Sequence, residues 1–221
     1  GAWNSASGAY ALMTNTTGDM NTGVGYCALF ANTSGCRNTA TGGKALGTNT
    51  TGIWNTASGT YTLQKNTTGT DNTGTGAYAL CANTTGCRNA AHGKFALRKN
   101  TTGCYNTASG YEALACNTTA SNNVAVGNMA LLYGTTASDN TAVGKSALRT
   151  NSTGCRNVAV GMQAMLDNTT GQRNTAIGMN TLANNTSGCY NTASGYEALY
   201  YQTTGCLNTA VGCHALFNNT T

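Results

Sequence analysis

Hydrophobic and polar positions recur along the chain with a fixed short period. Each unit begins at an asparagine and reads N-T-A-V-G-x-x-A-L-x-x-N-T-T-G-x-x, and the equivalent of thirteen units makes up the 221 residues. We number the unit positions 1 to 17 from that asparagine. Position 5 is always Gly, position 3 is only Ala or Gly, and position 9 is Leu except at Met165. A fixed short period predicts a repeat architecture and takes precedence over a domain-by-domain interpretation.

Each unit contains two short segments that we expect to be extended, N-T-A-V-G and A-L-x-x-N-T-T, separated by glycine turns. A unit of this length is too short for a helix pair and suits one coil of an all-β parallel β-solenoid or β-roll. The invariant glycine at position 5 indicates a positive φ angle or too little room for a Cβ atom. Coils about 4.8 Å apart would align identical positions in columns and give thirteen coils a length of about 60 Å.

The columns predict a thin core. The small residues at positions 3 and 8 face inward, and position 9 supplies the main apolar column. One Leu and a few Ala per coil bury little apolar area, so the core depends on continuous stacking of coils. The predicted core column consists of Leu12, Leu29, Leu46, Leu63, Leu80, Leu97, Leu114, Leu131, Leu148, Met165, Leu182, Leu199 and Leu216.

The asparagines at positions 1 and 12 are predicted to form ladders of side-chain amides at the bends, each amide bonding to the next coil. The position-1 ladder consists of Asn4, Asn21, Asn38, Asn55, Asn72, Asn89, Asn106, Asn123, Asn140, Asn157, Asn174, Asn191 and Asn208. Position 12 also starts Asn-x-Ser/Thr triplets, which would carry a column of surface glycans if these side chains faced outward. The repeat produces such triplets without any selection for glycosylation. Examples are Asn15, Asn32, Asn49, Asn66, Asn83 and Asn100.

Composition and charge narrow the range of partners. Only 8% of the residues are charged and proline is absent. Such a composition would suggest disorder in a chain without repeats, but strict columns argue against it. The net charge of +5 is spread over the chain without a basic tail. Nucleic-acid binding would need basic residues gathered on one face with aromatics between them, so we predict no nucleic-acid partner. No apolar run approaches the length that a membrane-spanning helix needs, which predicts no membrane insertion.

Six of the ten cysteines occupy position 16. Cysteines in one column of adjacent coils are within reach of a disulfide, and we favour disulfides in or between chains of an extracellular protein. Scattered free thiols are the alternative. The adjacent-coil pairs are Cys87 with Cys104 and Cys189 with Cys206.

Candidate catalytic and metal chemistry is sparse. No C-x-x-C motif occurs, and His92 and His214 are far apart in the array, which argues against a metal site. The six acidic residues are dispersed, and we find no Ser/His/Asp grouping, nucleophile elbow or phosphate loop. We therefore expect neither enzyme activity nor a cofactor.

The motif N-T-A-V-G-x-x-A-L resembles the repeats of bacterial and viral fibre proteins. It is similar to the shorter units in the heads of trimeric autotransporter adhesins. It is closer still to the N-T-A-I-G-x-x-A-L-x-x-N-T-T-G arrays of tail-fibre-like proteins that end in a self-cleaving chaperone domain. The resemblance covers all 221 residues. It implies a parallel β-roll or β-solenoid, exposure at a cell or virion surface, and a fibre or adhesive role, often as a parallel trimer.

The final N-T-T and the initial Gly1-Ala2-Trp3 together complete one unit, which is typical of a window in, or a subunit of, a longer head-to-tail array. We therefore predict a single array, residues 1–221, that serves as the shaft of an extracellular filament, fibre or adhesin and associates with itself end to end or laterally. The alternatives are a ligand-binding adhesin head and an ice-binding solenoid. Regular threonine columns at positions 2 and 13 favour the latter, although Ala90, Val124 and Val158 interrupt position 2.

Overall fold

A computed structural model describes residues 1–220 and contains strands and turns. The prediction of an all-β parallel β-solenoid is confirmed. No helix lies within residues 1–220, and thus none that could span a bilayer. Thirteen three-residue strands occupy unit positions 2 to 4. They are β1 Ser5–Ser7, β2 Thr22–Val24, β3 Thr39–Thr41, β4 Thr56–Ser58, β5 Thr73–Thr75, β6 Ala90–His92, β7 Thr107–Ser109, β8 Val124–Val126, β9 Thr141–Val143, β10 Val158–Val160, β11 Thr175–Ile177, β12 Thr192–Ser194 and β13 Thr209–Val211.

The chain divides into two compact units, Gly1–Asn106 and Thr107–Thr221, which we call the N-terminal and C-terminal arrays. Thr221 itself lies outside the described residues. The first array contains β1 to β6 and the second β7 to β13. Within each array successive strands pair in parallel with a shift of one unit, so that Thr39 lies opposite Thr56 and Thr141 opposite Val158. Identical unit positions therefore align in columns.

The strands have one inward residue and two outward residues. The middle residue, at position 3, faces the core, and Ala40 and Ala142 there are fully buried. Positions 2 and 4 face outward and carry no carboxylate, ammonium or guanidinium group in any coil. Ile177 on this outer face is 47% exposed. Each sheet thus presents an outer surface of short polar and β-branched side chains.

The position-9 column forms the centre of the core. Its members from Leu29 to Leu199, including Met165, have no solvent exposure. Leu12 in the first coil is half-buried and Leu216 in the last coil is 51% exposed. Full burial of this column therefore requires a coil on both sides, as expected for a core made by stacking.

The second predicted extended segment, positions 8 to 14, is not a strand. The residue at position 9 has a φ angle near +50° in every coil, for example Leu29 and Leu46, so the backbone turns there. The Leu29 N–H donates to the carbonyl of Ala45 in the next coil (3.0 Å), whereas the Lys44 N–H donates to that of Tyr26 in the preceding coil (2.8 Å). The turns therefore form hydrogen bonds to neighbouring coils in both directions. The prediction of a second extended segment is wrong, because turns rather than a strand complete each coil.

Left-handed backbone recurs at positions 7, 9 and 17 of every coil, with φ between 49° and 65° at all 39 residues. None of these residues is Val, Ile or Thr, although those types are frequent elsewhere in the chain. A branched Cβ crowds the backbone in this region, which explains the exclusion. The glycine at position 5 has φ between 117° and 138°, which agrees with the conformation expected of it.

Substitution at a left-handed position tests this constraint. We expect Gln163→Val, at position 7, to lower the free energy of unfolding by about 1–2 kcal/mol more than Met162→Val, because only Gln163 has a positive φ angle. Urea denaturation of the two variants measures the difference. Equal destabilisation would show that side-chain loss, and not backbone conformation, sets the tolerance of these positions.

Candidate functional site

The position-1 asparagines form a buried ladder. The backbone N–H and the side-chain Nδ2 of Asn38 both donate to Oδ1 of Asn21, at 3.0 and 3.2 Å. Asn38 Nδ2 also donates to the carbonyl of Gly52 at 2.8 Å, and Asn38 is fully buried. Each amide therefore satisfies polar groups of two coils at a bend that water does not reach.

A second ladder runs along position 12 and meets the first at position 15. Nδ2 of Asn49 donates to Oδ1 of Asn32 at 2.8 Å and to the carbonyl of Gly52 at 3.0 Å. The Gly52 carbonyl thus accepts from both ladders. A Cβ atom on Gly52 would overlap Oδ1 of Asn49 and the carbonyl of Gly69. Where both ladders are continuous, they therefore favour glycine at position 15.

Three exceptional residues compensate one another. Position 15 is alanine only at Ala120 and Ala137, and in the second of these coils position 12 is Gly134 in place of asparagine. A Cβ at position 15 normally meets the amides of its own and the next coil's position 12, as well as the carbonyl of the next coil's position 15. Gly134 removes one of the two amides for each alanine, that of the same coil for Ala137 and that of the next coil for Ala120, and both alanines are buried.

The structure places the glycan candidates inside the array. The side chains of Asn32, Asn49, Asn66, Asn83 and Asn100 are fully buried. Asn15 is half-buried, and its Nδ2 donates to Gly18 at 2.9 Å. Since the amide nitrogen that would carry a glycan is a ladder donor, the burial of these side chains argues against a glycan column on the folded array.

All ten cysteines are free thiols in the structure. Cys87 Sγ lies 2.8 Å from Cys104 Sγ. Burial, together with the contact to Cys104, raises the pKa of Cys87 to about 11. In the other pair, the Cys189 N–H donates to Cys206 Sγ at 3.1 Å. Both predicted pairs are thus side by side in one column, and the sulfur atoms of Cys87 and Cys104 are in contact.

A reduced thiol also has a bonding role at position 16. Cys189 Sγ accepts the N–H of Gln172 in the preceding coil and donates to the carbonyl of Ser187, both at 3.3 Å. Ser138 Oγ accepts the equivalent N–H of Ser121 at 3.1 Å. Small polar side chains at position 16 therefore link coils, a role that sequence reasoning missed.

The repeat spacing assembles a group of ionisable side chains that the sequence suggested were dispersed. Oε2 of Glu197 lies 3.1 Å from Nε2 of His214, and Oε1 accepts Nδ2 of Asn180 at 3.2 Å. Cys213 Sγ lies 3.6 Å from Nδ1 of His214. A hydrogen bond from Tyr196 is the main cause that lowers the pKa of Glu197, and bonds from Asn180 and His214 add to it.

A thiol, an imidazole and a carboxylate are the components of an activated cysteine nucleophile. Here they lie on an open surface, with the His214 side chain 52% exposed.

Within residues 1–220, no group of three or more His, Cys, Asp or Glu residues has an arrangement that could hold a metal ion.

A stack of aromatic rings and cations lies on the outward turn of the N-terminal array. The rings of Tyr61 and Tyr78 stack at 4.9 Å, and the ring of Phe95 follows at 5.5 Å from Tyr78. We call this surface the basic–aromatic face. It consists of these rings with Lys44, Lys94 and Arg98.

A cavity of about 320 Å³ adjoins Lys44 on the same face. Gly47 leaves space between Phe30 and Gln64, which share its position in the neighbouring coils. The cavity is lined by Tyr26, Cys27, Phe30, Lys44, Gly47, Thr48 and Gln64. A cation, an amide and aromatic rings thus surround a space large enough for a small ligand group.

No known protein family, curated protein or solved structure matches the chain. Its function therefore has to be argued from its own geometry, which is that of a parallel β-solenoid with paired asparagine ladders.

The contacts between positions 12 and 15 predict that substitutions at these positions have strongly non-additive effects on the free energy of unfolding. Gly134→Asn should destabilise the protein by about 1–3 kcal/mol, because the new amide meets the methyl groups of Ala120 and Ala137. Adding Ala120→Gly and Ala137→Gly should recover most of the loss by completing the ladder. Thermal denaturation of the single, double and triple variants measures the coupling. Additive effects would mean that the three positions are independent.

The contact between Cys87 and Cys104 predicts a specific disulfide. Mild oxidation of the folded protein should link these two residues first, which peptide mapping by mass spectrometry detects. The rate should increase as the pH rises toward about 11, since the thiolate is the attacking species and the pKa of Cys87 is raised. Cys189→Ser should leave the reaction unchanged. Preferential linkage of other cysteines, or a rate independent of pH, would contradict the prediction.

Proposed function

We propose that the chain is a shaft segment of an extracellular filament, fibre or adhesin, and that coil stacking is its working mechanism. The observation that carries this proposal is that burial of the core column depends on a stacked coil on both sides. Leu216, at position 9, is 51% exposed, whereas position 9 is fully buried in the internal coils. A coil with the same columns, supplied by another copy, would bury Leu216 as the position-9 residues of internal coils are buried.

Hydrogen bonding supports the same direction of assembly. The Asn208 N–H donates to Oδ1 of Asn191 at 2.9 Å, and the Asn21 N–H donates to Oδ1 of Asn4 at 2.9 Å. An incoming first coil would offer the Asn4 N–H to Oδ1 of Asn208 and extend the ladder. Open strand edges pair readily with another chain, and identical columns specify the register of that pairing.

Electron microscopy of the 221-residue chain tests the proposal. We expect long filaments with an axial layer spacing of about 4.8 Å. Leu216→Lys should prevent or shorten them, because it places a charge in the core column of the junction. Asn218→Lys adds the same charge at an exposed surface position of the same coil and should assemble normally. Discrete short particles from the wild-type chain would overturn the proposal.

A ligand-binding adhesin head is the second candidate. The cavity beside Lys44 and the stacked rings of the basic–aromatic face favour it, because both bring polar and aromatic groups together on one surface. The ice-binding alternative has less support. At position 13 the hydroxyl of Thr33 donates to the carbonyl of Thr50 at 3.0 Å, so the hydrogen of this hydroxyl is already engaged in a bond between coils.

A further inference from the structure

The basic–aromatic face lies in a region of unopposed positive charge. Positions 6, 7, 10 and 11 of the N-terminal array carry no carboxylate. The two acidic residues of this array, Asp19 and Asp71, occupy positions 16 and 17, and Asp71 lies 3.8 Å from Arg88. Of the 11 Lys and Arg residues of the chain, five lie at those four positions of the N-terminal array, namely Lys44, Lys65, Lys94, Arg98 and Lys99. The columns thus gather charge that is scattered in the sequence.

Three of these cations lie within cation–π distance of an aromatic ring. Lys44 Nζ lies 5.6 Å from the ring centroid of Tyr61. Lys94 Nζ and the Arg98 guanidinium carbon lie 4.9 and 5.1 Å from that of Phe95. Cation–π attraction restricts the side chains, and an ammonium or guanidinium retains further N–H donors for an anion. Restricted cations lose less entropy when they bind an anionic ligand.

The geometry of the ring stack favours an acidic polysaccharide over a single-stranded nucleic acid as the ligand. Tyr61 and Tyr78 are nearly parallel, with 19° between their planes, so each covers a face of the other. Single-stranded nucleic acids bind through bases that stack on open ring faces. This stack instead presents ring edges and tyrosine hydroxyls, which are hydrogen-bonding groups suited to sugars.

We propose that the basic–aromatic face binds a linear acidic polysaccharide, with sulfate or carboxylate groups along its chain. Lys44 and Lys94 lie three coils apart, roughly 14 Å, so a polymer along the columns would contact both ends of the face. The cavity beside Lys44 would take an anionic sugar unit, with the Gln64 amide as a further hydrogen-bonding group. The site goes beyond the shaft role, because it needs no assembly of the chain.

Calorimetric titration of the full chain with heparin, a sulfated polysaccharide, tests this site. We expect binding that weakens between about 50 and about 200 mM salt. Lys94→Gln with Arg98→Gln should weaken it at least about tenfold. Lys145→Gln with Arg149→Gln removes the same charges at the same unit positions, where position 7 is Ser146 rather than an aromatic residue, and should change affinity less than about twofold.

Uncharged dextran and an oligothymidylate strand complete the experiment, and thermal denaturation checks that each variant is folded. Preference for heparin over both, together with selective loss in the Lys94/Arg98 variant, supports the proposal. Equal loss in both variants would show binding through net charge alone. Tighter binding of the oligothymidylate would assign the face to nucleic acid, and no heparin binding would remove the site. The last two results would leave filament formation untouched, so the two proposals fail separately.

Discussion

The structure depends on satisfying polar groups at bends that are closed to water. Each coil reverses direction around Asn and Gly, and a buried amide without partners would destabilise the fold by about 1–3 kcal/mol. The amide columns meet this constraint in most coils because the donors and acceptors recur one coil further on, as between Asn38 and Asn21. Stacking of coils therefore supplies hydrogen-bond partners for the polar groups at the bends and also buries the thin leucine core. An isolated coil would lack both.

The left-handed positions govern which side chains the surface accepts. Position 7 accommodates Tyr61, Lys44 and Glu197 but no β-branched residue, since φ is positive there in every coil. Long unbranched and aromatic side chains consequently follow one another in a single column. The Tyr61–Tyr78 stack, the Lys44–Tyr61 cation–π pair and the Glu197–His214 contact all lie within this column. Backbone conformation and surface chemistry are thus two aspects of the same repeat.

Much of the architecture could be predicted from the sequence because the period fixes which residues become neighbours. The solenoid, the core leucines and the position-1 amides follow from it. The turn at position 9 could not be predicted, since Leu46 carries no sign of a positive φ angle when considered alone. The absence of Val, Ile and Thr from three columns was the available signal. The charge of the basic–aromatic face was missed because Lys44 and Lys94 are distant in the chain and share a surface only after folding.

The compensated trio of Ala120, Gly134 and Ala137 bears on how a chain of near-identical coils finds its register. A coil that docks one unit out of place matches its neighbour in almost every column, so slipped arrangements compete with the native one during folding. At the trio a slip of one unit would replace Gly134 beside Ala120 with an asparagine, adding a second amide to that of Asn117 in the coil of Ala120. The irregular coils therefore make the native alignment differ in packing energy from alignments shifted by one unit.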